Sequence, residues 1–238
     1  MNKKHPCRHY FRIEREMHEY ARGWLNGLGL MVKEEFYTPW GVCDFVAVSL
    51  AADRVEQRLS LGQRQALGPP LRIQLFNRIP DSATGKTISA KRLGREFNHI
   101  LEPAELAREL DRLEEARFVS RTKRGNLQKL NGWVPLHERI VALELKLSRV
   151  EEALNQARAH LCFADESYVG FPVDRAERLL CSKRIRRFEE NGVGVVGIAR
   201  GQCFVVLPSR PIHGQKDALM QMHCSERFWR TMVKDNSP

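Results

Sequence analysis

Between residues 12 and 28 apolar side chains recur at helical spacing, with Ile13, Met17, Ala21, Trp24 and Leu28 on one stripe and Glu14, Glu16 and Glu19 around it. This predicts an amphipathic helix that Gly29 ends. The period then shortens. "LMVKEEFYTPWGVCDFVAVSL" predicts two strands around a Pro-Trp-Gly turn, the second apolar on both faces apart from Asp44. The polar stretch "AADRVEQRLSLGQRQALGPP" reads as a linker. Three helices are predicted in "LRIQLFNRI", "TISAKRLGREFN" and "EPAELARELDRLEEARFV", the last with Pro103 in its first turn and Leu106, Leu110, Leu113 and Phe118 inward. "SRTKRGNLQKLNGWVPL" follows as a basic hairpin around Gly125 and Asn126. Beyond it the chain alternates again. A strand at "VALELKLS" meets a helix marked by a Ser148/Glu151 capping-box spacing and by Val150, Leu154, Ala157, Leu161 and Ala164. "SYVGFP" is a strand, residues 174 to 190 a basic helix, "VGVVGIA" and "QCFVVLP" two strands, and residues 215 to 233 a terminal helix, an α/β pattern.

One of these strands carries charge in an apolar run. Val141, Leu143, Leu145 and Leu147 point one way, and Ala142, Glu144, Lys146 and Ser148 the other, so an acid and a lysine share a face at the strand's end. In an α/β sheet ligand and metal chemistry gathers there. A structural ion pair explains the two residues equally well, and Asp44 reads either as a turn-bonding carboxylate or as a functional one.

Composition narrows the partner. Of 238 residues, 42% are hydrophobic, enough for real cores, and 39 lysines and arginines against 29 acids give +10, which favours a polyanion such as nucleic acid over a membrane surface. "MNKKHPCRHYFRIEREM" has no apolar core of the kind a signal peptide needs, and no apolar run approaches a membrane span. The 6 cysteines are scattered without a Cys-x-x-Cys pair, so reduced thiols in the cytoplasm are expected. His5, Cys7 and His9 lie close together but lack a second ligand cluster.

"GVCDFVAV", "VALELKLS" and the helix and strand in "ALNQARAHLCFADESYVGFP" together resemble the PD-(D/E)XK, or restriction-endonuclease-like, nuclease superfamily. The resemblance implies a mixed sheet flanked by helices. It implies Asp44 and Glu144, with the main-chain carbonyl of Leu145, as ligands for Mg²⁺ or Mn²⁺, Lys146 as the residue that orients or deprotonates the attacking water, and Gln156 as a helix-borne site residue. Cys43 stands where the family motif has proline. A further acid from the first helix is implied; Glu14 lies nearest the apolar stripe, Glu16 and Glu19 nearer the helix end that meets the sheet, and Glu16 is assigned. His160, four residues after Gln156, reads as surface or core filler.

The long interval between Asp44 and Glu144 departs from the family's near-continuous hairpin and requires an insertion. Residues 70 to 135 resemble a winged helix, so the expected organisation is a nuclease core in residues 1–60 and 137–238 interrupted by a winged-helix domain in residues 61–136. DNA is the expected partner, with a homodimer left open. Candidate contacts are Lys91, Arg92 and Arg95 on the second helix, Arg121, Lys123 and Arg124 in the wing, and Lys183, Arg184, Arg186 and Arg187 in "SKRIRR". Glutamates 105, 109, 114 and 115 argue against DNA reading by the third helix. A catalytically silent DNA-binding or regulatory protein on the same scaffold, an RNA-directed nuclease, and a nuclease subunit of a defence or mobile-element complex are the rival readings.

Overall fold

A computed structural model describes residues 11–39, 41–131, 135–210 and 216–235; His5, Cys7, His9, Trp40 and Trp133 lie outside them. The chain divides into two compact units, residues 1–49 with 138–217, and residues 50–137 with 218–238.

The first unit is built on a six-stranded mixed sheet in the order β1-β2-β5-β6-β7-β8. Its strands are β1 (Met31–Thr38), β2 (Gly41–Leu50), β5 (His137–Leu145), β6 (Glu166–Pro172), β7 (Gly194–Ala199) and β8 (Gln202–Leu207). β1 and β2 are antiparallel, β5, β6 and β7 run parallel to one another, and β8 returns antiparallel to β7. Alternation along the strands buries two layers. On one face Phe45, Val141, Leu143, Leu145, Val196 and Ile198 pack against Met17, Ala21 and Leu25, borne by a 3-10 turn (Glu14–Met17) and α1 (His18–Gly27). On the other, Val169, Phe171, Val193 and Val195 meet α6 (Val150–His160), α7 (Val173–Leu180) and α8 (Ile185–Glu190).

Several sequence expectations change here. The predicted first stripe is shorter than expected: Ile13 and Leu28 are exposed, because Ile13 is the extended N-cap of a 3-10 turn and Leu28 the C-cap of the helix that follows, so both lie outside the helical run. The basic helix expected over 174–190 is two helices broken at residues 181–184. Nor is there a capping box at Ser148; Arg149 is the N-cap of α6 without a side-chain cap, and Glu151 pairs with Arg187 instead.

In the second unit, α3 (Pro70–Arg78), α4 (Ala90–Phe97) and α5 (Pro103–Glu115) precede a two-stranded hairpin, β3 (Val119–Arg121) and β4 (Leu127–Lys129). Ile88 bridges antiparallel to Leu127 and so lays a third extended segment beside the hairpin. Ile73, Phe76, Leu93, Leu106, Leu110, Leu113, Phe118 and Leu127 form the core. Gly125 supplies the left-handed residue that the hairpin turn requires. The unit starts at residue 50 rather than 61, and the presumed linker contains α2 (Ala52–Ser60). Polarity concealed this helix because its buried side chain is charged: Arg58, 2% exposed, makes a two-pronged ion pair with Glu226 at 2.6 and 2.9 Å and lies over the Trp229 and Phe118 rings. Glu226 and Trp229 belong to α9 (Ala218–Asp235), so the terminal helix completes this second core rather than the sheet unit to which the sequence assigned it.

Candidate functional site

Asp44, in the middle of β2, marks a break in that strand's alternation. Phe45 packs in the α1 layer, yet Cys43, which a regular strand would send to the same side, meets His160 of α6. The neighbouring strand is distorted at the same level. Register pairs Glu34 with Phe45 and Phe36 with Cys43 flank Glu35, whose φ of 47° is left-handed. A non-glycine residue held there costs on the order of 1–3 kcal/mol, and such strain collects where function constrains the backbone. The switch frees Asp44 to turn along the sheet, where its Oδ2 accepts the Leu145 N–H at 2.7 Å.

β5 supplies the other charges. Glu144 is 1% exposed and Lys146 8%, and Lys146 Nζ donates to Glu144 Oε1 at 2.6 Å, so the two share a face as their spacing predicted. Glu144 Oε2 is buried with no hydrogen-bond partner. Burial first, then the neighbouring Asp44 charge, pushes the Glu144 carboxyl up to about 7 against the pull of Lys146 and of the Asp44 backbone N–H. Asp44 is also raised, by burial and Glu14, although the Leu145 N–H, Lys146 and His18 act the other way. Burial opposes the charge on Lys146, but the bond to Glu144 and the fields of Glu144, Asp44 and Glu14 outweigh it and raise its pKa. Two acids in mutual repulsion beside one cation, with an oxygen to spare, form a site suited to a divalent cation.

Of the acids at the start of the first helix, Glu14 rather than Glu16 faces β5. Glu14 Oε1 accepts the Leu147 N–H at 3.2 Å and its field acts on Asp44 and Lys146, whereas Glu16 folds back to accept the Arg12 N–H at 2.7 Å. In a 3-10 turn residues two apart project to different sides, so only one of them faces β5. Gln156 sits half-buried on α6, one turn before His160, with its Oε1 buried and unpartnered.

Two residues that the sequence reading set aside are drawn in. The buried Cys43 Sγ lies 3.6 Å from His160 Nδ1, and donor atoms of Cys43, Glu144 and His160 all fall within 4.8 Å of one another. Burial, then Lys146, lowers the His160 pKa to about 4, and burial raises the Cys43 thiol well above its usual range. An apolar-looking "VCDF" gave no hint of this, since it requires the face switch at Asp44. Beyond Lys146, at the carboxyl ends of β5 and β6, a cavity of about 230 Å³ is lined by Leu147, Ser148, Val173, Arg175 and Arg178 among others. The two arginines were not among the sequence candidates.

The basic candidates separate by partner. Arg121 pairs with Glu114 and Asp111 at 2.7 and 3.0 Å, Arg187 with Glu151, and Arg92 with Glu96 at 3.5 Å, all of them ion pairs at the surface. Lys91, Arg95, Lys123 and Arg124 in the second unit, and Lys183, Arg184 and Arg186 in the first, are exposed. Among the α5 acids, Glu109 pairs with Arg72 and Arg112, Glu114 with Arg121, and Glu105 accepts the Glu102 N–H at 3.0 Å. No described helix is long and apolar enough to cross a membrane. No family model, curated protein or solved structure matches the chain.

Proposed function

We propose that this chain is a Mg²⁺- or Mn²⁺-dependent DNA endonuclease with a restriction-endonuclease-like core, and that its second unit is a winged helix that engages DNA. The observation that carries the reading is the buried Glu144, one oxygen held by Lys146 and the other unpartnered, in the field of Asp44. A structural ion pair satisfies both carboxylate oxygens; this one leaves a lone pair where a hard cation binds. Asp44, Glu144 and the Leu145 carbonyl would hold the ion, which supplies Lewis-acid stabilisation of charge building on the phosphate. The Leu145 N–H fixes the Asp44 carboxylate, and Glu14 braces the start of the following loop through Leu147. Lys146, charged at neutral pH, stands beside Glu144 to orient the attacking water and to offset the transition-state charge.

The winged-helix reading is supported by the order of elements, three helices with an extended segment at Ile88 and then a hairpin. Exposed Lys91 and Arg95 on α4 and Lys123 and Arg124 in the hairpin turn are the phosphate contacts it favours. Duplex, nicked, branched and single-stranded DNA and RNA, incubated with Mg²⁺ or Mn²⁺, form the test panel. Wild type is expected to cut DNA and Lys146→Ala to bind it uncut; binding without metal-dependent cutting of any substrate would instead establish the silent binder.

A further inference from the structure

The geometry points to a second, nitrogen- and sulfur-rich cation site on the inner side of Glu144, in which Cys43, His160 and Glu144 take Zn²⁺ or a similarly thiophilic divalent ion and so withdraw Glu144 from the hydrolytic centre. The inference rests on the proposed nuclease reading only in its regulatory half; the binding half stands on the donors themselves.

Distance fits first. Ligand atoms bound tetrahedrally at ~2.0–2.3 Å from zinc lie roughly 3.3–3.8 Å apart. Cys43 Sγ and His160 Nδ1, at 3.6 Å, are already so spaced. The carboxylate donor lies within 4.8 Å of both, so a rotation of about 1 Å brings it into place. All three residues are buried; Glu144 Oε2 has no hydrogen-bond partner to give up, and the Cys43 thiol gives up its bonds to the Phe45 and Leu143 carbonyls. A fourth position remains for water.

Chemistry then sorts the two sites. Thiolate and imidazole select zinc-like ions, whereas Mg²⁺ favours carboxylate, carbonyl and water oxygens. Asp44 and the Leu145 carbonyl therefore suit the hard ion and Cys43 with His160 the soft one, with Glu144 common to both. Binding converts the Cys43 thiol to thiolate and passes its proton to solvent, so that thiolate and Glu144 together balance the dication beside Lys146. The hydrolytic centre has no need of Cys43 or His160, and their pairing across the sheet requires the face switch at Asp44.

Co²⁺ is the direct probe. The purified chain should bind one Co²⁺ with an intense near-ultraviolet sulfur-to-cobalt charge-transfer band, which Zn²⁺ abolishes and a large excess of Mg²⁺ leaves intact. Cys43→Ser should lose that band and, like His160→Gln, weaken Zn²⁺ by at least about 100-fold, more than the roughly 10–100-fold that an outer-shell partner supplies. Asp44→Asn should keep Zn²⁺ affinity within a few fold. Zn²⁺ should also raise the melting temperature of wild type but not of Cys43→Ala, a comparison that exposes any variant that merely fails to fold. If wild type cuts DNA with Mg²⁺, micromolar Zn²⁺ should inhibit it and Cys43→Ser should cut as wild type and resist zinc. Cobalt binding without a sulfur band, or unchanged Zn²⁺ affinity in Cys43→Ser, would overturn the site while leaving the nuclease reading intact. The sulfur band in a protein that never cuts would uphold the site and remove the nuclease.

Discussion

Among the described residues each unit holds a buried ion pair, Glu226 with Arg58 and Glu144 with Lys146, and the two pairs are finished differently. Glu226 has both oxygens engaged, Oε1 and Oε2 by Arg58 and Oε2 also by the Leu67 N–H, while Arg58 gives further bonds to the Gln63 and Gln65 carbonyls and lies against two aromatic rings. Glu144 has Oε1 on Lys146, Oε2 without a hydrogen-bond partner, only the pull of the Asp44 backbone N–H besides, and the Asp44 charge in repulsion nearby. Burial alone therefore does not describe the two pairs. Completeness of the hydrogen bonding separates them: a satisfied pair rigidifies its core, and an unsatisfied one leaves capacity for a ligand.

The contrast is sharpest in stability. Arg58→Ala strands a buried carboxylate and should cost about 3–5 kcal/mol in chemical denaturation. Glu144→Gln in the metal-free protein should shift stability by less than about 1 kcal/mol, since losing the Lys146 bond is offset by removing a buried charge from beside Asp44. Equal losses in the two variants would erase the distinction. Activity should reverse the order. Lys146→Ala is expected to slow DNA cleavage by about 10²–10³-fold under single turnover, with binding in a gel-shift assay unchanged. Arg58→Leu, assayed where it remains folded, should cut at nearly the wild-type rate.

How much of this contrast was legible in the chain follows from the same physics. The shared face of Glu144 and Lys146 could be read because strand periodicity is local, and α3 to α5 because leucine spacing and Pro103 mark them. Arg58 hid α2, since a buried charge makes a helix look polar until its partner, far along the chain at Glu226, is known. Likewise the choice of Glu14 over Glu16 depends on three-residue turn geometry, and the approach of Cys43 to His160 on a strand that changes face. These are tertiary facts with no sequence period.

pH gives a finer test. The folded Glu144 carboxyl, raised from 4.5 to about 7, holds its proton more tightly than the unfolded chain does. Its protonated form therefore favours folding fully below about 4.5, and that contribution is lost as pH rises through 7. A cation needs the ionised form, so Mn²⁺ affinity should fall about tenfold per pH unit below 7 and level off above it. A profile flat from pH 5 to 8 would place the ion away from Glu144.

The smallest effect concerns the β3–β4 hairpin. Lys123→Ala with Arg124→Ala should lower the salt slope of DNA binding by up to about 2, roughly 0.9 per lost contact. Arg121→Ala, already held by Glu114 and Asp111, should leave that slope unchanged. The opposite ranking would mean that Arg121 leaves its carboxylates for the phosphate.

Calorimetric titration of Mn²⁺ into the metal-free protein at pH 7.5 tests the central claim, that the spare oxygen of Glu144 and the Asp44 carboxylate hold a hard divalent ion. Wild type should bind in a calcium- and magnesium-competable manner, with Glu144→Gln and Asp44→Asn each weakening that binding by at least about tenfold and Glu16→Gln leaving it unchanged. Full-affinity Mn²⁺ binding in both Glu144→Gln and Asp44→Asn would contradict the account.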